Sequence, residues 1–188
     1  MTKTLLHACC GPCAVQCVEI LRAEDITPTL FWYNPNIHPF TEYRSRQEAL
    51  RTFAQQAELE VIARDEYGLR DFLRGVGQNF DNRCRFCYEI RLEAAAATAK
   101  AQGYDSFSTT LLVSPYQNHA LLRQIGEAMG QKYGVAFLYR DFRPGFRQGQ
   151  KTARELGLYM QKYCGCIFSE EDRYQAQRDA GPKHGIAL

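Results

Sequence analysis

The sequence lacks any long hydrophobic run, any internal repeat and any low-complexity tract or linker. No stretch approaches the roughly 20 apolar residues of a membrane-spanning helix, and the apolar run near the amino terminus is far too short for a signal peptide. We therefore expect a cytoplasmic protein that does not engage a membrane. Its 188 residues suit one domain over residues 1–188, with a flexible tail from about residue 170.

The chain also lacks a strong charge of either sign, since 23 Lys and Arg residues face 21 Asp and Glu residues and leave a net charge of +2. Any contact with nucleic acid must therefore come from a local patch. Five basic residues lie within residues 140–154, interleaved with Phe142 and Phe146. This pattern suits backbone contacts and base stacking on RNA loops, although a solvated helix face is the simpler explanation for Lys151 and Arg154.

Short apolar segments alternate along the chain with segments of helical spacing. Strands are predicted at residues 4–8, 29–33, 60–63, 106–110 and 136–139. Helices are predicted at residues 12–23, 40–58, 69–75, 88–102, 119–133 and 149–163. The alternation predicts an α/β fold in which a parallel sheet carries helices on both faces. Ligands of such folds bind at the carboxyl ends of the strands, so we expect the site where residues 9–13, 34–38, 112–118 and 141–145 follow strands.

Seven of the eight cysteines fall into three groups, which are Cys9, Cys10 and Cys13, then Cys84 and Cys87, then Cys164 and Cys166. Thiols stay reduced in the cytoplasm, so these cysteines are better explained as metal ligands or catalytic thiols than as disulfides. Gly165 allows the unusual backbone that would turn both neighbouring sulfurs inward. The eighth, Cys17, is predicted to be a small buried side chain.

Three explanations of the thiols compete. A thioredoxin-like pair, Cys10 and Cys13, leaves the other two groups unexplained. A structural zinc site accounts for four sulfurs, as does a [4Fe–4S] cluster. Because six or seven ligands exceed what one such site needs, the count favours a [4Fe–4S] cluster with a second metal close by.

A larger set of motifs adds to this pattern. They are residues 7–13 (HACCGPC), 33–37 with 42–43, 83–88 (RCRFCY), 107–112 with 114–116, 142–147 (FRPGFR) and 163–166 (YCGC). The set resembles the QueH-type epoxyqueuosine reductases, the cobalamin-independent enzymes of queuosine biosynthesis, from about residue 3 to about residue 170. The resemblance implies an adenine-nucleotide-hydrolase-like, Rossmann-like fold, a [4Fe–4S] cluster and a second metal, iron, beside it.

The resemblance also implies the reaction, which converts the epoxide of epoxyqueuosine to the alkene of queuosine with two electrons and two protons. The partner is then tRNA carrying epoxyqueuosine at the anticodon wobble position, together with an electron donor that the sequence does not identify. Proton donors are sought at the same edge of the sheet, where the candidates are Tyr116, Asp81, His119 and Asp141. Each of the first three also has a non-catalytic alternative: base stacking for Tyr116, shaping of the loop before Cys84 for Asp81 and the start of a helix for His119.

The ligands are assigned from the side-chain directions expected of adjacent residues. Successive side chains of a strand face opposite ways, so Cys9 and Cys10 are expected to serve different metal centres. The predicted ligands of the cluster are Cys10, Cys84, Cys87 and Cys164. Those of the second metal are Cys9, Cys13 and Cys166. Exchange of Cys9 with Cys10, or of Cys164 with Cys166, is left open.

Substrate or RNA contacts are predicted at Tyr33 and Asn34, which follow the second strand, and at Arg143, Phe146 and Arg147. Two other functions compete with this one. An ATP-dependent tRNA-modifying enzyme would need a Ser-Gly-Gly-x-Asp-Ser-like phosphate loop after the first strand, where the cysteines stand instead. A zinc-stabilised RNA-binding module without redox activity remains the non-enzymatic alternative.

Overall fold

The computed structural model describes residues 2–179 and contains one parallel sheet of five strands. The strands are β1 (Thr4–His7), β2 (Thr29–Trp32), β3 (Val61–Ala63), β4 (Ser106–Thr109) and β5 (Ala136–Phe137). The helices are α1 (Gly11–Ala23), α2 (Phe40–Gln56), α3 (Leu69–Val76), α4 (Arg83–Ala101), α5 (His119–Tyr133), α6 (Phe146–Glu155) and α7 (Ile167–Asp179).

The strand order is β3-β2-β1-β4-β5, and every neighbouring pair is parallel. The chain moves from β1 to one edge and then returns to build the other half from β4. Since parallel crossovers are right-handed, this reversal places helices on the two faces: α1 packs against α2 and α6, and α4 packs against α5. The predicted α/β fold, a parallel sheet with helices on both faces, is confirmed, with the switch point of strand order between β1 and β4.

The central strands are covered on both faces, so every residue of β1 and β4 is buried. Strands buried in this way carry side chains that pack or pair on both sides. Leu5 and Leu6 are fully buried, and the Thr4 and Ser106 hydroxyls pair with each other across the two strands at 2.9 Å. The two strands that carry the switch point are therefore fixed in register, and so are the loops at their carboxyl ends.

The start of α1 lies very close to α2. A Cβ atom added at Gly11 would stand 2.6 Å from the backbone carbonyl oxygen of Ala49, which is nearer than real Cβ atoms approach. Glycine at this position therefore allows the two helices to touch where the chain turns from β1 into α1. The contact fixes the segment that carries Cys10 and Cys13.

Two helix predictions were wrong at their ends. The helix predicted from residue 88 begins at Arg83, because a short 3₁₀ turn at Phe80–Asn82 leads directly into it. The helix predicted over 149–163 spans Phe146–Glu155 instead, because Gly157 adopts a φ of 69° and ends it. A glycine in this left-handed conformation after the last turn is a common helix stop.

Helix α7 was not predicted, because its mostly polar sequence carries no clear apolar stripe. The flexible tail was predicted from about residue 170; residues 170–179 are helical, and residues 180–188 lie outside the described residues. Within residues 2–179, none of the helices is both long enough and apolar enough to cross a membrane.

Candidate metal centre

Cys9, Cys10 and Cys13 form a buried thiol triad just beyond the carboxyl end of β1. Their three sulfur atoms all lie within 4.8 Å of one another, and Sγ of Cys9 is 3.8 Å from Sγ of Cys10. The expectation that Cys9 and Cys10 face opposite ways was wrong, because β1 ends at His7 and the pair lies in the turn into α1. The alternation of side chains applies within a strand and does not extend into this turn.

The thiol triad is held at the switch point by its two neighbouring loops. The backbone N–H of Cys9 donates to Oγ1 of Thr110, which directly follows β4, and that hydroxyl lies 3.5 Å from Sγ of Cys9. On the other side, Nδ2 of Asn34 donates to the carbonyl oxygen of Ala8 across 2.9 Å. Three parallel strands therefore contribute to fixing the position of Cys9.

A second group of thiols is formed by Cys84 and Cys87 at the start of α4 and by Cys164 and Cys166 before α7. Cys87 and Cys166 are buried, whereas Cys84 and Cys164 are exposed. Burial raises the pKa of the Cys87 thiol to about 12 against the lowering effect of Arg91, and the other three thiols of the group add to the increase. The charges of these four cysteines are therefore coupled, although they come from two distant parts of the sequence.

The candidate ligands lie at the amino termini of three helices. Cys10 precedes α1, Cys84 lies in the first turn of α4, and Cys166 precedes α7, where the backbone N–H of Ser169 donates to Sγ of Cys166 across 3.4 Å. The amino terminus of a helix carries roughly half a positive charge and stabilises thiolates. The three helices therefore favour a negatively charged group at this edge of the sheet.

Two buried guanidinium groups lie beside the site. Arg46 on α2 and Arg91 on α4 are each 1% exposed. Nη2 of Arg91 donates to Sγ of Cys87 across 3.0 Å. Burial lowers the pKa of Arg46, but the charges of Cys10 and Glu42 outweigh it and raise that pKa. Sequence reasoning missed both residues, although each lies four positions after its partner on one helix face, Glu42 for Arg46 and Cys87 for Arg91.

The segment that carries Cys164 and Cys166 is anchored by backbone contacts. Arg46 donates through Nη1 to the carbonyl oxygen of Cys164 and through Nη2 to that of Tyr163, at 2.9 and 2.8 Å. Gly165 has a φ of 145°, and an added Cβ would stand 3.3 Å from Nη1 of Arg46. The prediction that Gly165 is needed for an unusual backbone here is confirmed.

His38 holds the same segment from the loop after β2. Its backbone N–H donates to the carbonyl oxygen of Gly165, and its carbonyl oxygen accepts from the Tyr163 hydroxyl. Its ring Nε2 donates to the carbonyl oxygen of Pro35, and Nδ1 accepts from the first N–H of α7 at Ile167. The loop over residues 34–38 therefore positions the last two cysteines, a role that no sequence signal indicated.

The predicted proton donors lie in different surroundings. Tyr116 is 86% exposed, and its ring meets the ring of Phe146 edge-on at 6.2 Å. Asp81 is exposed in the turn before α4. His119 is buried at the start of α5, where Nε2 donates to the carbonyl oxygen of Ser114 and Nδ1 has no partner within residues 2–179. None of these three residues forms a hydrogen bond with a cysteine within residues 2–179.

Asp141 is engaged by Arg143. The guanidinium donates through Nε and Nη2 to the two carboxylate oxygens, each at 2.7 Å, and this pairing lowers the pKa of Asp141 to about 2. The carboxyl group is thus deprotonated at neutral pH and is a poor proton donor. The same contact occupies Arg143, whereas Arg147 is exposed and takes part in none of the ion pairs found between residues 2 and 179.

The two remaining substrate candidates differ in access. Tyr33 is half-buried at the end of β2, with the guanidinium of Arg64 over its ring at 4.3 Å. Asn34 is fully buried and holds the β1 loop, as described above. Cys17 is fully buried, as predicted.

Two glutamines that sequence reasoning missed donate to candidate ligands. Nε2 of Gln117 donates to Sγ of Cys164 across 3.4 Å, and Nε2 of Gln161 donates to Sγ of Cys13 across 3.2 Å. Gln117 directly follows Tyr116 and also accepts from the Tyr88 hydroxyl at 2.7 Å. The exposed tyrosine is therefore one residue away from a contact with the thiols.

The donor set fits a thiolate-bound metal. Soft sulfur ligands select zinc, copper(I) or iron–sulfur clusters. Buried arginine charge and helix amino termini compensate for negative charge on the sulfurs. A site of neutral thiols would not need this compensation. The triad of Cys9, Cys10 and Cys13 could therefore hold a metal ion, and the second group offers further sulfurs beside it.

Known proteins resemble this chain in both sequence and fold. The family model for epoxyqueuosine reductase QueH matches residues 4–172. An epoxyqueuosine reductase QueH of Dehalococcoides mccartyi is 38% identical over 92% of this chain and 94% of its own length. One of Thermotoga maritima is 35% identical over 98% of this chain and 99% of its own length.

A solved structure supports the fold alone. It is described as a predicted subunit of tRNA methyltransferase from Methanocaldococcus jannaschii, and it superposes with a TM-score of 0.53 over 95% of this chain and 89% of that chain. The two sequences are 12% identical. The likeness therefore concerns the arrangement of strands and helices and says nothing about the reaction.

Proposed function

The chain belongs to the QueH family of epoxyqueuosine reductases, and we propose that it acts on epoxyqueuosine within tRNA with a [4Fe–4S] cluster and a second metal, iron. The reaction removes the epoxide oxygen as water and leaves the alkene of queuosine. It consumes two electrons and two protons. The electrons come from a donor that delivers them to the metal centre.

One observation carries the proposal. The sulfurs of Cys9, Cys10 and Cys13 lie within 4.8 Å of one another beside the point where the strand order reverses, and the charges of Cys87, Cys164 and Cys9 all act on the buried guanidinium of Arg91. One cluster takes four thiolates, so the remaining three sulfurs suit a second metal. The number and grouping of the sulfurs therefore support two centres side by side.

The position of the thiols favours a division by segment. The second group, Cys84, Cys87, Cys164 and Cys166, would hold the cluster, and the thiol triad of Cys9, Cys10 and Cys13 would hold the second metal. The division predicted from the sequence instead placed Cys10 on the cluster and Cys166 on the second metal. It depended on the alternation of side chains along a strand, which does not apply here because β1 ends at His7. Both divisions place Cys13 on the second metal and Cys84 and Cys87 on the cluster.

When bound, such a centre supplies the two electrons and a Lewis-acidic position for the epoxide oxygen. The protein's own residues must then supply protons and hold the substrate. The pKa of Asp141, lowered by Arg143 to about 2, makes it a weak candidate donor. We assign proton donation to the Tyr116 hydroxyl, because Tyr116 is exposed to substrate and its neighbour Gln117 contacts Cys164.

The RNA surface is built from the loops after β4 and β5. The exposed ring of Tyr116 and the half-buried ring of Phe146 offer faces on which an extruded base can stack. Arg147 supplies a positive charge without a carboxylate partner in the described part of the chain, and Arg143 lies beside Asp141. Phosphate contacts here would fix the register of the tRNA loop, and stacking would hold the modified base.

Anaerobic purification tests the proposal. We expect a brown protein that contains iron and sulfide, and single-turnover reduction of epoxyqueuosine in tRNA by the chemically reduced protein. Cys84→Ser and Cys87→Ser should each lose the cluster absorbance. Cys17→Ala removes a buried thiol from outside the two groups and should retain it.

Two results would contradict the proposal. A colourless protein that contains zinc and binds RNA would favour the zinc-stabilised module instead. Normal cluster absorbance in either Cys84→Ser or Cys87→Ser would refute the assignment of this pair to the cluster.

A further inference from the structure

Arg91 is a buried cation without a carboxylate partner among residues 2–179. It lies on α4, one helical turn after Cys87, and is 1% exposed. The ion pairs of this part of the chain do not include it. A buried charge is costly unless an opposite charge compensates for it. The structure must therefore provide Arg91 with another kind of anion.

The contacts of Arg91 point to the sulfur of Cys87, which would be an anion when it binds a metal. Nη2 donates to Sγ of Cys87 across 3.0 Å, and Nε donates to the carbonyl oxygen of the same residue across 2.9 Å. Two donors of one planar group on one residue fix the direction of its side chain. Burial lowers the pKa of Arg91, but the charges of Cys87, Cys164 and Cys9 outweigh it and raise that pKa.

Arg46 provides the comparison, because it is equally buried but differently paired. Its Nε donates to Oε1 of Glu42 across 2.7 Å, and its other two nitrogens donate to backbone carbonyl oxygens. The charge of Arg46 is therefore balanced by a carboxylate. The charge of Arg91 is left for the thiol site.

We propose that Arg91 is a positioning residue that directs the Cys87 thiolate toward the metal and raises the reduction potential of the centre. The inference rests on the proposed function, since it requires Cys87 to be a metal ligand. Reduction adds negative charge, which a nearby cation stabilises, and hydrogen bonds to ligand sulfur act in the same direction. Because the charge is buried, salt and water screen it little.

Two substitutions separate the charge from the hydrogen bond. Arg91→Gln keeps an N–H donor and removes the charge, whereas Arg91→Lys keeps the charge and removes the planar fork. The loaded, anaerobically purified proteins are titrated with reductant and followed by electron paramagnetic resonance. We expect the equilibrium constant for reduction of the centre to fall at least tenfold in Arg91→Gln. This corresponds to a reduction potential lower by about 59 mV for one electron. Arg91→Lys should lie close to the wild type.

Arg123→Gln is the matched control, because Arg123 is an exposed arginine on α5 that pairs with Glu127. Its removal should leave the potential unchanged. A loaded Arg91→Gln protein with the wild-type potential would overturn the proposal. So would an Arg91→Lys protein whose potential falls as far as that of Arg91→Gln.

Failure of a variant to bind the metal centre also tests the proposal. If Arg91→Gln alone fails to load, a wild-type potential in Arg91→Lys supports the need for charge, and a lowered one overturns it. Failure of both variants beside a loaded wild type assigns Arg91 to folding and overturns the proposal, while the proposed function stands. A wild-type protein without iron and sulfide overturns both together.

Discussion

Arg46 and Cys164 are joined by a hydrogen bond between residues 118 positions apart, from Nη1 of the guanidinium to the carbonyl oxygen of the cysteine. The bond ties helix α2 to the segment that carries the last two candidate ligands. The same guanidinium is balanced by Glu42, whose other carboxylate oxygen accepts from the Tyr159 hydroxyl. A single buried ion pair thus supports the backbone at one side of the site.

Arg46→Met should therefore lower the free energy of unfolding by about 3–5 kcal/mol, because it leaves a buried carboxylate unpaired. Anaerobic urea titration of the loaded protein measures this. The double variant Arg46→Met with Glu42→Leu should recover part of the loss. Arg44→Met, on the same helix with a half-exposed partner in Asp65, should change stability by less than about 1 kcal/mol. A loss of that small size in Arg46→Met would contradict the prediction.

Cys13→Ser should keep the cluster, lose the second metal and lose epoxide reduction. The reason is that Cys13 belongs to the thiol triad, whichever way the other ligands are divided. Iron and sulfide analysis with single-turnover assays measures the result, and Cys17→Ala on the same helix is the control. A Cys13→Ser protein with a full cluster and wild-type turnover would refute the two-centre mechanism for this chain.

Binding to tRNA should weaken with salt, but modestly. Three or four phosphate contacts predict a slope of log K against log salt of about −2 to −3, at roughly −0.7 for each contact. Arg147→Ala should flatten the slope by nearly one contact. Arg143→Ala should flatten it less, because Asp141 already neutralises Arg143. Equal slopes for the wild type and Arg147→Ala would move the RNA surface elsewhere.

Stability should fall as the solution becomes acidic, in part through His38. Burial lowers the pKa of His38 from 6.5 to about 4. Between these values the unfolded chain binds a proton that the folded chain does not, so stability is full above about pH 6.5 and decreases below it. The loss at pH 5 is at most about 2 kcal/mol. His38→Asn keeps an acceptor for the N–H of Ile167, and its free energy of unfolding should decrease less steeply with falling pH. Parallel curves of unfolding free energy against pH for the variant and the wild type would argue against this role of His38.

Tyr116→Phe should reduce kcat by about 10²–10⁴-fold with little change in KM, as expected for loss of a proton donor. Tyr116→Ala should raise KM as well, because it also removes the ring beside Phe146. Tyr174→Phe, which alters another exposed tyrosine, should have no effect. Full turnover by Tyr116→Phe would leave Tyr116 with a stacking role only.

The fold was largely predictable, because buried parallel strands and amphipathic helices leave clear periodic patterns. All five strands, and helices α1 to α3 and α5, begin at their predicted starts or within one residue of them. The grouping of thiols at one sheet edge was also predictable, since loops after parallel strands meet there. The direction of Cys9 and Cys10 was not, because it depends on where β1 ends.

The charges behind the thiols could not be predicted. Glu42 and Arg46 have the spacing of an ordinary exposed pair on a helix, and only the distant carbonyl oxygens of Tyr163 and Cys164 reveal that Arg46 is buried. Arg91 gives no signal of its own, because burial depends on packing of α4 against the sheet and α5. His38 likewise gains its role from a segment at the other end of the sequence.

The candidate ligands also have an order along the chain, and that order affects how the protein is made. During synthesis the thiol triad emerges first, Cys84 and Cys87 follow with α4, and Cys164 and Cys166 emerge only after the whole sheet has been translated. A nascent or truncated chain that stops before Cys164 holds the triad but only half of the second group. Complete loading of both proposed centres would thus require translation at least as far as Cys166.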